Sequence, residues 1–148
     1  MPTTRTALPS DAAAITELTV QLGYPGDIAA TRHRLERLLA RDDQLVLVAS
    51  AGGKISGWLQ AHAYDVLESG FIVEIVGLVV ATDCRRSGAG RALVQQAQLW
   101  ASTRHAQTLV VRSNILRTES HRFYPALGFT VSKTQTVYEK PVQHPSPA

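Results

Sequence analysis

The chain has a single cysteine, Cys84, in 148 residues. That excludes an internal disulfide and a cysteine-based metal site, and it fits a reducing compartment, so a cytoplasmic location is expected. Long hydrophobic runs are missing as well. The longest, Phe71 to Ala81, is interrupted by Glu74 and is too short to span a bilayer, so no membrane partner is expected. The opening residues Met1-Pro2-Thr3-Thr4-Arg5 lack the apolar stretch of a signal peptide. His62, His105 and His121 do not have metal-ligand spacing, so no metal is expected. Clustered positive charge is scarce too. The 15 Lys and Arg residues are scattered, with one dense group at Arg85, Arg86 and Arg91. A nucleic-acid partner is not expected from such a pattern, whereas a net charge of +3 suits an anionic ligand at one place. Internal repeats and linkers are absent. A single domain over 1–148 is expected, with a flexible tail at 141–148 that holds Pro141, Pro145 and Pro147.

What is present is ordinary globular material: 45% apolar and 18% charged residues. Thr4 to Leu8 can form a first strand. Ser10 or Asp11 can cap a helix carrying Ala14, Ile15, Leu18 and Leu22, with Gly23 as its stop. After the turn Tyr24-Pro25-Gly26, a second helix carries Ile28, Leu35, Leu38 and Leu39. Leu45 to Ala49 is a buried strand. Gly52-Gly53 is a hairpin signal leading to a partner strand, Ile55 to Tyr64, with Gly57 as a bulge candidate. Phe71 to Val80 is a third strand of this series, rich in β-branched residues. Gly88 to His105 is helical, Thr108 to Arg112 is a strand, and Thr118 to Leu127 is a short helix closed by Gly128. Phe129 to Lys140 is expected as a last strand. The fold class is α/β in the α+β sense: a mixed, mostly antiparallel sheet of about six strands with helices on both faces.

The segment Arg85-Arg86-Ser87-Gly88-Ala89-Gly90 lies between an apolar strand and an amphipathic helix. Glycines there let the backbone turn sharply and approach a ligand. The first amides of the helix point outward with the positive end of the helix dipole behind them, which makes an anion site. A P-loop is excluded because Gly-Lys-Ser/Thr is absent, and the dinucleotide fingerprint fails because Leu93 stands where its third glycine belongs. The pattern Gln/Arg-x-x-Gly-x-Gly/Ala is met in full.

With Ile72-Val73-Glu74-Ile75-Val76-Gly77-Leu78-Val79-Val80 ahead of it, Arg85-x-x-Gly88-x-Gly90 resembles the central motif of the GNAT acyltransferases. His121-Arg122-Phe123-Tyr124-Pro125-Ala126-Leu127-Gly128-Phe129 is similar to that family's closing helix and Gly-Phe exit. The resemblance covers roughly Thr4 to Lys140. It implies a GNAT-like fold and an acetyl-CoA-dependent N-acetyltransferase. It places the pyrophosphate of acetyl-CoA on the turn Arg85, Arg86, Ser87, Gly88, Ala89, Gly90 and Arg91. It lays the pantetheine arm along Leu78, Val79 and Val80, in a slot where two strands splay apart, and puts Asn114 against that arm. It makes Tyr124 the general acid to the departing thiolate. Glu74 lies 11 residues before Arg85, the offset at which the family's histone acetyltransferases carry a general base.

The acceptor must be a neutral amine to attack a thioester, and stripping an alkyl ammonium at neutral pH costs about 4–5 kcal/mol. A carboxylate such as Glu74 can take that proton. A strand amide near Leu78 or Val79 can hold the oxyanion. Strand alternation would put Glu74 on one face with Val76, Leu78 and Val80. Leu22 to Ile28, Tyr64 to Ser69 and Ile115 to Glu119 are the expected walls of the acceptor pocket, with Asp65, Glu68 and Glu119 as candidate attractants for a cation. A small-molecule primary amine is the first reading of the acceptor. A protein lysine or N-terminus is an alternative, and a non-catalytic acyl-CoA sensor is another of a different class. An exposed edge strand near the C-terminus leaves a homodimer open.

Overall fold

A computed structural model describes residues 2–84, 87–113 and 118–146. These residues form two compact units, 1–112 and 113–148.

In the first unit five strands lie side by side in sequence order: β1 (Thr3–Thr6), β2 (Gln44–Ala51), β3 (Lys54–Val66), β4 (Gly70–Val80) and β5 (Thr108–Val111). The first four are antiparallel to their neighbours, and β5 runs parallel to β4. The mixed, mostly antiparallel sheet is therefore present with five strands. Gly52 and Gly53, at φ +60° and +78°, make the two-residue turn between β2 and β3, and such turns need both central residues left-handed.

Helices α1 (Ala12–Gln21) and α2 (Ile28–Leu39) cover one face. Ile15 and Leu35 pack there on Val46, Val48 and the Trp58 ring. Leu18 packs on Val79 and Ala81. Helix α3 (Ala89–Thr103) covers the other face and buries Leu93, Val94 and Ala97. A Cβ on Gly57 would come 3.3 Å from Leu93 Cδ1 and 3.0 Å from the Val79 carbonyl, so glycine lets α3 and β4 close in on β3. Asp27 caps α2 by accepting from the Ala30 amide at 3.2 Å. Asp11 stands at the start of α1 but does not cap it. Its carboxylate turns back to the Leu8 amide (2.7 Å) and the Arg5 guanidinium (2.8 and 3.0 Å).

The second unit holds α4 (Thr118–Ala126). Its end is a Schellman motif: the Phe129 amide donates to the Tyr124 carbonyl and the Gly128 amide to the Pro125 carbonyl, with Gly128 at φ +94°. Phe129 then returns edge-on to the Tyr124 ring, 5.6 Å between centroids. Phe129 to Lys140, expected as a last strand, carries no strand. β-Branched composition suits a strand, but a strand exists only on a ladder, and Val131, Val137 and Tyr138 remain exposed.

Candidate active site

The middle of β4 departs from simple alternation. Gln60 pairs with Gly77 and the next residue, Ala61, pairs with Ile75, so Val76 is an extra residue in β4, a β-bulge. Directly paired residues share a face. Glu74, opposite His62, therefore shares its face with Gly77 and Val79, while Leu78 and Val80 lie on the α3 face. This corrects the expected grouping of Glu74 with Leu78 and Val80. Gly77 is required at the bulge, since a Cβ there would stand 2.7 and 2.8 Å from the Trp58 ring.

Pairing of β4 with β5 runs from Ile72↔Thr108 to Ile75↔Val111 and stops. β4 continues for five residues to Val80, with no strand on that edge among the described residues. The Ala81 amide donates to the Ser56 carbonyl on the β3 side at 2.8 Å. Antiparallel alternation then directs the main chain of Val79 to β3 and that of Leu78 and Val80 to the open edge. The Leu78 amide rather than that of Val79 thus faces the open edge.

The open edge leads into a short 3-10 turn, Thr82–Cys84, and then to α3. Gly88 is the N-cap at φ +93°, exposed, with Pro2 Cγ at 3.9 Å as the nearest contact for an added Cβ. The Ala89 amide donates weakly to Ser87 Oγ at 3.4 Å, and among the described residues no side chain caps the helix. Ala89 and Gly90 are buried under the first turn, and Arg91 is exposed. Burial pushes the Cys84 thiol up, so it stays protonated and packs with Leu18 and Val79. Arg85, Arg86 and Asn114, singled out from the sequence, lie outside the described residues.

Glu74 is largely buried and tied at both oxygens: Oε1 accepts from the Tyr64 hydroxyl at 2.6 Å, and Oε2 accepts from Arg112 Nε at 3.1 Å. The hydrogen bond to Glu74 holds the Tyr64 phenol above its ordinary pKa, with burial acting in the same direction. The Tyr64 and Glu74 contacts keep Arg112 firmly charged. His62 stacks on Tyr64 at 4.7 Å. Tyr64, expected only on a pocket wall, and Arg112, to which no sequence motif points, thus meet at Glu74. Asp65 pairs with Phe71, one step from Tyr64↔Ile72, and so points to the opposite face from Glu74. Among the described residues no group of three or more His, Cys, Asp or Glu side chains is placed to hold a metal, and no helix is long and apolar enough to cross a membrane.

In the second unit Tyr124 lies on α4 with its ring edge-on to Phe123 and Phe129.

A bulged, half-open fourth strand feeding a glycine-capped helix across a mixed sheet defines an acetyltransferase-type fold. The chain belongs to the acetyltransferase (GNAT) family, whose model matches residues 13–129. It is similar to an aminoglycoside N(6')-acetyltransferase type 1 of Stenotrophomonas maltophilia, 29% identical over 96% of this chain and 95% of that one. Among solved structures it resembles the aminoglycoside acetyltransferase AAC(6')-Iy in complex with a bisubstrate analogue, CoA-S-monomethyl-acetylneamine. That match has a TM-score of 0.84 at 20% identity, over 96% and 99% of the two chains. A transcriptional regulator of Bacillus halodurans matches with a TM-score of 0.84 at 20% identity, over 95% and 100%. At these identities the two structures speak for the fold alone.

Proposed function

We propose that this protein transfers the acetyl group of acetyl-CoA to the primary amine of a small molecule, by direct attack within a ternary complex. The open edge of β4 carries the reading. It offers the main chain of Leu78 and Val80 to an extended arm, then delivers that arm to the amides at the start of α3, where a diphosphate is favoured. Ser87, Gly88, Ala89, Gly90 and Arg91 would hold the diphosphate, with Arg85 and Arg86 adding charge and Asn114 touching the pantetheine. The Leu78 amide would hold the oxyanion. Glu74 is the final acceptor of the amine's proton, and Tyr124 returns a proton to the departing thiolate. The relative that acts on aminoglycosides supports a small-molecule acceptor over a protein one.

Release of free thiol from acetyl-CoA, followed across a panel of primary amines, tests the proposal. Turnover with small amines is expected. Tight CoA binding without turnover on any amine would make the protein a CoA-binding sensor instead. A homodimer would draw on the exposed Val131, Val137 and Tyr138. Sedimentation of the wild type against Tyr138→Glu decides it, with loss of a dimer expected in the variant.

A further inference from the structure

Glu74 is the proton acceptor of the proposed reaction, yet an amine has no unobstructed approach to it. Its side chain is only 13% exposed, and each oxygen already accepts a hydrogen bond. Cross-strand register produces this arrangement. His62↔Glu74 places Tyr64, two residues along β3, diagonally across the same face. Glu74↔Val110 places Arg112, two residues beyond Val110, on that face too. On the Oε2 side stands a guanidinium, which has donors only. On the Oε1 side stands the Tyr64 hydroxyl, which donates its proton to Glu74 and accepts a hydrogen bond from Arg112, and whose oxygen carries a second lone pair. At 2.6 Å, that contact is in the short range of a hydroxyl bonded to a carboxylate. The stacked His62 ring fixes the orientation of the phenol. Beside His62, Asp43 lies 3.7 Å from Nε2 and pairs with Arg41 at 2.8 Å. Those two charges offset each other, and the Tyr64 hydroxyl is a group beside Glu74 that can both take up and pass on a proton.

Building on the function proposed above, we propose that Tyr64 is a catalytic residue that meets the acceptor ammonium and relays its proton to Glu74. One ammonium N–H bond breaks, leaving its electron pair on nitrogen, and a new O–H bond forms at Tyr64 Oη. The original Tyr64 O–H bond breaks as its proton passes to Glu74 Oε1. The ammonium becomes an amine, the carboxylate becomes a carboxylic acid, the tyrosine is regenerated, and total charge is unchanged. The raised pKa of Tyr64 agrees with a group that stays a phenol at neutral pH and never rests as a phenolate.

The experiment uses the full chain, acetyl-CoA and a series of primary amines. Fluorination beside the aminomethyl carbon takes the conjugate acids from the ordinary alkyl value of about 10.4 down to about 6. Tyr64→Phe should lower kcat about a hundredfold or more with the most basic amines. Its deficit should shrink toward none with amines already neutral at pH 7. Glu74→Gln should give the same pattern, and the double variant should be no worse than either single one, as for residues acting as a unit. A Tyr64→Phe deficit of equal size across the series, or none at all, overturns the relay while leaving the acetyltransferase reading in place. No turnover by the wild type with any amine overturns both. A CoA-induced rise in melting temperature shows that each variant is folded.

Discussion

Asp11 is a carboxylate held under the first helix by donors from two sides. Arg5 grips both oxygens and the Leu8 amide adds a third bond. The hydrogen bonds from Arg5 hold its pKa below the ordinary carboxylate value, against the opposing effect of burial. A depressed folded-state pKa contributes stability that is complete above the unfolded value of about 3.9 and is lost as pH falls through the folded value. Asp11→Asn should therefore cost about 1–3 kcal/mol at pH 7 in urea unfolding, as expected when buried donors lose a charged acceptor. It should also flatten the wild type's loss of stability below pH 4. Equal acid sensitivity in the two proteins would show that the pair contributes nothing. Tyr124 invites a different residue-scale test. If its hydroxyl returns the proton to the thiolate, Tyr124→Phe should lower kcat about a hundredfold while CoA affinity stays the same. A change confined to affinity would reassign it to binding.

The fourth strand shows what a single element can hide. Its composition, Ile72 to Val80, announces a buried strand, and β4 is one. The hairpin turn was legible because Gly52-Gly53 satisfies a backbone requirement locally, and so was Gly128, the left-handed cap that ends α4. The bulge at Val76 was not, because an extra β-branched residue looks like any other in an apolar run, and only the register against β3 exposes it. The same holds for the environment of Glu74. Tyr64 and Arg112 reach it from 10 and 38 residues away through strand pairing, which no local motif encodes. The glycine that permits the bulge is testable. A methyl group on Gly77 would press into Trp58, which is itself packed against Val48 and Val79 and cannot retreat freely. Gly77→Ala should cost about 1–3 kcal/mol as overpacking, shift tryptophan emission and weaken CoA binding by realigning Leu78 and Val80. Unchanged emission and unchanged affinity together would show that the bulge does not set the line of the slot.

At the scale of the whole molecule, the proposed site predicts how stability responds to ligand. A ligand that binds only the folded state stabilises it by about 2.7 kcal/mol at a hundred times its Kd. For a chain of this size each kcal/mol raises Tm by about 2–4 °C, so saturating CoA should raise it by about 5–10 °C. Pantetheine, which lacks the diphosphate, should give little of that rise if the start of α3 is the main anchor. Gly88→Val separates anchoring from folding. Gly88 is exposed at φ +93°, where a β-branched residue costs about 1–2 kcal/mol of backbone strain but meets no packed neighbour closer than 3.9 Å. The variant should melt a few degrees lower than the wild type and show no rise with CoA, because the turn can no longer present its amides to the diphosphate. A full rise in the variant, or an equal rise with pantetheine, would move the anchor away from that helix and onto the open strand alone.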